Sequence, residues 1–193
     1  MTKEKQLKDR FRLDRNKAAL IVIDVQEKLV PAMDRSLFHQ VRGNIDMLVK
    51  GCSELDVPVI ATEQYPKGLG HTVPELSEAC SRAVIEKTSF GCCGEPSFLE
   101  KLEELGASQV IVTGMEAHVC VYQTVLGLLE AGYMVHVVRD AVCSRGRIDF
   151  ETAVDNFRDA GAVVTTAETV LFQMVGDATS PAFKPVSKLV KEK

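Results

Sequence analysis

The chain has 193 residues, of which 46% are hydrophobic and 26% are charged, with a formal net charge of -4 and a pI near 5.6. This composition is typical of a globular protein with a full core, and it excludes a disordered chain. The acidic balance and the scattered lysines give no attraction to nucleic acid or anionic lipid. We therefore expect a small-molecule partner and neither nucleic acid nor a membrane.

The chain begins with MTKEKQLKDRFRLDR, which is charged throughout and has neither the apolar segment nor the cleavage site of a secretory signal. No apolar run reaches the roughly 18 residues that a membrane helix needs. We therefore expect a cytoplasmic protein, in which six cysteines do not predict a disulfide framework. Adjacent Cys92 and Cys93 lack the partners of a zinc site, so we expect no metal and interpret them as packing or pocket-lining residues.

Six apolar runs along the chain have the length and β-branched content of buried strands. Helix-like segments lie between most of them, and glycines in EELGASQVIV, LEAGYMVHVV and RDAGAVVTT mark helix ends just before a strand. Alternating strands and helices predict a parallel sheet with helices on both faces. The predicted strands cover residues 18–24, 57–62, 83–87, 109–114, 134–140 and 162–166.

Three further segments have weaker patterns. LFHQVRGNIDMLVKGCSEL predicts an amphipathic helix. EQYPKGLGHTVPEL, from Glu63 to Leu76, is rich in glycine and proline and predicts a long loop that lies beside the active face, where it is able to act as a lid. The tail SPAFKPVSKLVKEK has no sustained pattern, and we expect it to pack on the domain or on a neighbouring subunit.

Polar residues follow several predicted strands at their carboxyl ends, where chemistry gathers in parallel α/β sheets. Asp24 closes the first strand, Lys87 ends the third, and Cys120 follows the fourth. Each fits a plain structural role when taken alone, but together they supply a base, a cation and a nucleophile. No strand is followed by GxGxxG, a P-loop or GxSxG, so dinucleotide, nucleotide and α/β-hydrolase functions lose their main support.

A helix predicted from His118 to Leu129 determines whether the side chains of His118 and Cys120 face each other. Cys120 lies in its first turn, where backbone N–H groups favour a thiolate and can bind a developing oxyanion. Positions two apart on a helix point about 200° apart, so His118 faces away and is interpreted as a structural or interface residue. His136, inside an apolar strand, is predicted to be a core residue with satisfied hydrogen bonds.

Three segments, LIVIDVQEKLV, EKTSFG and VIVTGMEAHVCVYQTVLGLLEAGYMVHVVRDAVCSR, resemble the isochorismatase-like cysteine hydrolases and occur in family order. The resemblance maps the family's catalytic residues onto Asp24, Lys87 and Cys120. It implies a three-layer α/β/α, Rossmann-like fold with a six-stranded parallel sheet in order 3-2-1-4-5-6. It also implies a cis peptide bond between Met115 and Glu116, and an oxyanion hole formed by the N–H groups of Glu116 and Cys120.

The resemblance covers residues 17–174, and we expect one domain over 1–193. A charged segment, 1–16, precedes this core, and a tail, 177–193, follows it. Because members of the family often form oligomers, the resemblance also implies a homo-oligomer.

The resemblance implies a metal-independent cysteine hydrolase that cleaves a small carboxamide or related acyl compound through a thioester, without a cofactor. Gln26, Gln64 and Phe90 are the expected pocket-lining residues. A redox-responsive or binding protein that keeps the fold and an acidic thiol but turns over no substrate stays open as an alternative, because thiolate character also serves oxidation.

Two other activities of the family fit the sequence less well. Metal-dependent nicotinamidases carry a D-x-H segment where this chain has ATEQYPKGLGH, and Glu63 and His71 are a poor substitute as metal ligands. Members that act on isochorismate, an enol ether, typically lack the cysteine, so Cys120 argues against that substrate. The TEQYPKGLG segment resembles the branch of the family whose substrates are unassigned.

Overall fold

A six-stranded parallel sheet forms the centre of the computed structural model, which describes residues 9–80 and 83–192. The strand order is β3-β2-β1-β4-β5-β6. The predicted fold class and strand order are therefore confirmed, with strand ends shifted by a few residues. The strands are β1 (Ala18–Ile23), β2 (Val59–Gln64), β3 (Val84–Lys87), β4 (Gln109–Met115), β5 (Met134–Cys143) and β6 (Val163–Thr165).

The central strands are continuous apolar runs because both faces of the sheet are covered. Every residue of β1 and β4 is buried. Strand β1 pairs with β2 on one side and with β4 on the other, so that Ile23 lies opposite both Thr62 and Gly114. The order of the strands reverses between β1 and β4, and a crevice at their carboxyl ends is the expected ligand site of such a sheet.

Helices cover the two faces of the sheet as separate layers. The helices are α1 (Arg35–Glu54), α2 (Pro66–Leu69), α3 (Pro74–Cys80), α4 (Pro96–Glu104), α5 (Tyr122–Glu130), α6 (Arg147–Ala160), α7 (Ala167–Val175) and α8 (Phe183–Lys191). One apolar cluster joins the sheet to α1, α3, α7 and α8, and the other joins it to α4, α5 and α6.

The glycines predicted at three helix ends all have a left-handed backbone. Gly106, Gly132 and Gly161 have φ angles of 63°, 87° and 105°. At Gly161 the amide caps α6 through the carbonyl groups of Arg158 and Phe157. A side chain would disfavour this conformation, so glycine ends the helix and leads directly into β6.

The tail contains a helix that the sequence pattern did not predict. In α8, Val186 is fully buried, and Phe183, Leu189 and Val190 pack on the same apolar cluster as α1 and α7. Their spacing of three and four residues is a helical signal, and Pro185 lies in the first turn, where a helix tolerates proline. The expectation that the tail packs on the domain is confirmed.

The segment from Glu63 to Leu76 is not one continuous loop, because it contains α2 and the start of α3. Its middle part folds back on the residues after β1. The Glu27 amide donates to the His71 carbonyl over 3.0 Å, and the Lys28 amide donates to the Leu69 carbonyl over 3.1 Å. No helix in the described part of the chain is long and apolar enough to cross a membrane.

His136 lies in the core, as predicted, but its hydrogen bonds are not satisfied. The side chain is fully buried in β5, and neither ring nitrogen has a hydrogen-bond partner among the described residues. Burial lowers the pKa of His136 to about 4, an effect that the backbone of Arg10 offsets only in part. The imidazole is therefore neutral at physiological pH.

Candidate active site

Three side chains from separate strand ends meet at the carboxyl edge of the sheet. Asp24 directly follows β1, Lys87 ends β3, and Cys120 lies in a π-helical turn, Ala117–Val121, that follows β4. The Lys87 ammonium donates to Asp24 Oδ2 over 2.7 Å, and the Cys120 side chain is hydrogen-bonded to Asp24. All three side chains are buried. One carboxylate thus contacts both a cation and a thiol.

The backbone at the end of β1 brings Asp24 close to β4. Asp24 has a left-handed backbone with φ of 50°, which aspartate tolerates better than most residues do. Beside it, Gly114 has φ of 110°, and any side chain there would collide with the backbone of Ile23. Glycine at this position therefore permits the close approach of β1 and β4.

Lys87 is fully buried at its side chain, so its ammonium requires compensation for the loss of water. Besides Asp24, it donates to Gln64 Oε1 over 2.9 Å, to the Phe90 carbonyl over 2.9 Å and to the Ser89 carbonyl over 3.2 Å. These acceptors fix the ammonium beside the carboxylate. They also tie the loop after β3 to the site.

The Cys120 thiol is in an environment that disfavours its charged form. Burial raises the pKa of Cys120, the carboxylate of Asp24 raises it further through its charge and hydrogen bond, and Lys87 opposes this only in part. The sequence predicted a position that favours a thiolate, whereas in the resting site burial and the Asp24 carboxylate act against the charged form. A base must therefore remove the thiol proton when the sulfur reacts.

The turn that carries Cys120 differs from the predicted helix. It is π-helical up to Val121, and α5 begins only at Tyr122. The peptide bond between Met115 and Glu116 is cis, and Glu116 is the N-cap residue of the turn. The Glu116 carboxylate accepts a hydrogen bond from the Arg145 amide over 3.1 Å.

His118 contacts Ser144, whereas a catalytic dyad would require contact with Cys120. Its Nδ1 lies 3.0 Å from Ser144 Oγ. This contact joins the turn after β4 to the segment after β5, which is in line with the predicted structural role. The carboxylate hydrogen-bonded to Cys120 belongs to Asp24.

Two threonines near the site were missed by the sequence reasoning, and Cys92, interpreted there as a packing or pocket-lining residue, contacts both of them. The Thr62 hydroxyl donates to Asp24 Oδ1 over 2.7 Å, and the Cys92 thiol donates to the same hydroxyl oxygen over 3.8 Å. The Thr124 hydroxyl accepts from the Cys92 amide over 2.9 Å and donates to the Cys120 carbonyl over 2.7 Å. For Thr62 a signal existed, since it ends a predicted strand in an otherwise apolar alternation.

The three residues expected to line the pocket differ in exposure and in how many hydrogen bonds already engage their side chains. The Gln26 side chain is fully buried and bonds to backbone groups, donating to the Gly70 carbonyl over 2.6 Å and to the Gln64 carbonyl over 3.1 Å, and accepting from the Gln64 amide over 2.7 Å. The Gln64 side chain bonds Lys87 and the Thr88 carbonyl. Phe90 is 53% exposed. These contacts favour framework roles for both glutamines.

Glu63 and His71 form a pair that ties the segment between β2 and α3 to the sheet. Glu63 Oε2 lies 2.8 Å from His71 Nδ1, and Oε1 accepts from the Thr72 amide over 2.7 Å and the Thr72 hydroxyl over 2.8 Å. Within residues 9–80 and 83–192, no group of three or more His, Cys, Asp or Glu side chains is placed to hold a metal ion. The donors around Glu63 account for its burial without a metal.

The strand order and the cluster of Asp24, Lys87 and Cys120 at the point of reversal define an α/β protein of the isochorismatase-like type. Comparison with known families agrees with this, because the Isochorismatase domain family matches residues 18–169. The chain therefore belongs to the isochorismatase family.

Relatives cover almost the whole chain. Isochorismatase domain-containing protein 2 of Danio rerio is 42% identical over 180 residues, which are 93% of this chain and 89% of that protein. Isochorismatase family protein 1A of Dictyostelium discoideum is 38% identical over 186 residues, covering 94% and 89%. The solved structure named MAR1 ribonuclease of Caenorhabditis elegans is 41% identical, covers 93% of this chain and 92% of its own, and superposes with a TM-score of 0.87.

A more distant structure shares the fold. YcaC of Escherichia coli, described as an octameric hydrolase of unknown specificity, is 24% identical, covers 94% of this chain and 95% of its own, and has a TM-score of 0.82. At that identity the similarity establishes the fold alone.

Proposed function

We propose that the protein is a metal-independent cysteine hydrolase that cleaves a small carboxamide or related acyl compound through a thioester. The observation that carries the proposal is the contact of a single buried carboxylate, Asp24, with both Lys87 and Cys120. A nucleophile beside a base, which is itself held by a third group, is the arrangement that activates weak nucleophiles.

In the first half of the reaction Asp24 takes the thiol proton while the Cys120 sulfur forms a bond to the substrate carbonyl carbon. The carbonyl π electrons move onto oxygen and form a tetrahedral intermediate. When that oxyanion collapses, the C–N bond breaks, and Asp24 returns the proton to the leaving amine. General base and acid action of this kind contributes about 10²–10⁴ in rate.

In the second half Asp24 takes a proton from water, whose oxygen attacks the thioester carbon. The C–S bond then breaks, the acid product leaves, and the sulfur regains its proton from Asp24. The sum is one water consumed and one amide converted to an acid and an amine. Lys87 keeps its contact with Asp24 in both halves and opposes the negative charge that passes between the oxygen and sulfur atoms.

The oxyanion is assigned to the backbone N–H groups of Glu116 and Cys120. Glu116 is the N-cap residue of the turn after β4, and Cys120 lies within that turn, so both N–H groups come from the segment that carries the sulfur, which supports this assignment. One well-placed donor of this kind contributes about 10²–10³ in rate. The side chain of Cys120 is buried, with 6% of the residue exposed, so the proposed substrates are small.

A panel of small aliphatic and aromatic carboxamides, incubated with the protein, tests the proposal. We expect turnover and an acyl adduct on Cys120 in the intact mass spectrum. Cys120→Ala is expected to lose both, and Asp24→Asn to lose about 10²–10⁴ of the rate. Cys52→Ala is the matched control, because Cys52 is equally buried but lies in the apolar cluster on the opposite face of the sheet.

Two outcomes would contradict this function. One is amide turnover that persists in Cys120→Ala. The other is activity of a different kind, either peroxide-dependent oxidation of Cys120 without any turnover or cleavage of RNA, which the name of the Caenorhabditis elegans relative makes worth including in the panel.

For the assembly we propose a homo-oligomer, as described for the Escherichia coli YcaC protein. Light scattering on the purified chain tests this, and a monomeric mass would contradict it.

A further inference from the structure

We propose that Thr62 is a positioning residue that holds the Asp24 carboxylate for proton transfer, and that Cys92 fixes the direction in which the Thr62 hydroxyl donates. The inference rests on the proposed function of Asp24 and extends it by two residues. Neither side chain is exposed enough to meet a substrate directly, since Thr62 is 1% exposed and Cys92 is fully buried.

Thr62 holds Asp24 at both ends. Its hydroxyl donates to Asp24 Oδ1 over 2.7 Å, and its backbone carbonyl accepts from the Asp24 amide over 3.1 Å. Because β1 and β2 are adjacent parallel strands, with Ile23 opposite Thr62, the two contacts follow from the register of the sheet. They fix the backbone and the side chain of Asp24 together.

The direction of the hydroxyl proton follows from its two neighbours. A carboxylate only accepts hydrogen bonds, so Thr62 is the donor toward Asp24. On its other side the Thr62 oxygen accepts from the Cys92 thiol over 3.8 Å. Burial raises the pKa of Cys92 to about 11, and the nearby Asp24 charge acts in the same direction, so that thiol keeps its proton at neutral pH. The single proton of Thr62 is therefore directed to Asp24.

This arrangement leaves the carboxylate with one fixed donor on each oxygen. Thr62 donates to Oδ1 and Lys87 donates to Oδ2. The Cys120 thiol is a third donor, and in the proposed reaction its proton is the one that moves to Asp24. Loss of the Thr62 hydroxyl is therefore expected to let the carboxylate turn away from the Cys120 thiol.

The test follows the rate of alkylation of Cys120 by iodoacetamide at neutral pH, site by site in peptide mass spectra. This readout needs no substrate, because removal of the thiol proton by Asp24 precedes carbon–sulfur bond formation and iodide leaves. The variants are Thr62→Val, which lacks the hydroxyl, and Thr62→Ser, which keeps it. Thr113→Val is the matched control, since the buried Thr113 hydroxyl donates to the Ile21 carbonyl over 2.8 Å and does not touch the site.

We expect Thr62→Val to slow alkylation at neutral pH by up to about 100-fold, because a carboxylate that turns away from the thiol is misplaced for proton transfer. Thr62→Ser should restore the rate, and Thr113→Val should leave it unchanged. An equal rate in Thr62→Val and the unaltered protein would overturn the inference, as would a rate in Thr62→Ser as slow as that in Thr62→Val.

Cys92→Ala tests the second half and also serves if Thr62→Val does not fold. It keeps the hydroxyl but removes the donor that orients it, so we expect a smaller change in the same direction. An alkylation rate identical to that of the unaltered protein would contradict the role of Cys92. Absence of amide turnover in the unaltered protein would end the proposed hydrolase function, whereas the alkylation profiles would still decide on Thr62.

Discussion

Two buried polar regions of the sheet have opposite environments. At the end of β1, Asp24 is fully buried and receives hydrogen bonds on both oxygens, from Thr62 and Lys87. Inside β5, His136 is equally buried, but its ring nitrogens lack hydrogen-bond partners among the described residues. Both strands are apolar runs in which a titratable residue is unexpected.

The difference separates a site from a tolerated core residue. A buried charge persists only where partners replace water, and Asp24 receives these partners from β2 and β3. His136 lacks such convergent partners, since the backbone of Arg10 only partly offsets burial, and burial lowers its pKa to about 4, which keeps it neutral. Burial of a titratable residue alone does not indicate chemistry, whereas burial together with convergent partners does.

The largest expected effect on stability comes from Lys87→Met, which removes the cation that pairs with Asp24. The substitution leaves the Asp24 carboxylate buried beside Thr62 without a compensating cation, and loss of one member of such a pair destabilises a protein by about 3–5 kcal/mol. Urea denaturation at neutral pH measures the change.

A double variant tells whether the pairing of the charges is responsible. We expect Asp24→Asn combined with Lys87→Met to be more stable than Lys87→Met alone, because the unpaired charge is gone. Additive losses in the two single variants would show that packing of the lysine chain, and not its charge, accounts for the effect.

The next largest expected effect on stability comes from His136. It concerns how the free energy of unfolding depends on pH. Its folded pKa of about 4 lies below the ordinary value of 6.5, so below pH 6.5 the unfolded state has more protons bound at this histidine than the folded state has. Its contribution to stability is complete above pH 6.5 and decreases as the pH falls toward 4, by about 3 kcal/mol in all. Urea denaturation between pH 4 and pH 7.5 measures it.

The matched variant is His136→Leu, which fills a similar volume without a titratable group. We expect the difference in unfolding free energy between the two proteins to change over this pH interval in favour of His136→Leu as the pH falls. A difference that does not vary with pH would mean that the imidazole finds a partner in the folded protein, and the contrast with Asp24 would disappear.

The sequence predicts the fold, and it selects Asp24, Lys87 and Cys120 as candidates, because both steps depend on local signals. Apolar runs, glycine at helix ends and polar residues at strand ends are all visible in the chain, and the family resemblance adds the strand order. The contacts of Thr62, Cys92 and Thr124 were not predicted, because they depend on the register between neighbouring strands and on how the loop after β3 meets the turn that carries Cys120. The raised pKa of Cys120 likewise depends on three-dimensional burial.

The smallest expected effect concerns the pair of Glu63 and His71, a partnered carboxylate outside the cluster. Burial alone would raise the pKa of Glu63, but hydrogen bonds from the Thr72 amide, His71 and the Thr72 hydroxyl together lower it below 4.5. The hydrogen bond and charge of Glu63 raise the pKa of His71 above 6.5. The pair therefore contributes fully between about pH 4.5 and 6.5. It weakens as the pH falls through the pKa of Glu63 and as it rises through that of His71.

Hydrogen exchange at the Thr72 amide, which donates to Glu63, reports this pair directly. After correction for intrinsic exchange, we expect protection to decrease modestly between pH 6.5 and pH 8.5, because His71 is largely exposed and solvent screens its charge. His71→Gln keeps a donor without the titration and should show the same protection at both values. A decrease of equal size in His71→Gln would mean that the segment opens for another reason, and that partner charges matter here far less than they do at Asp24.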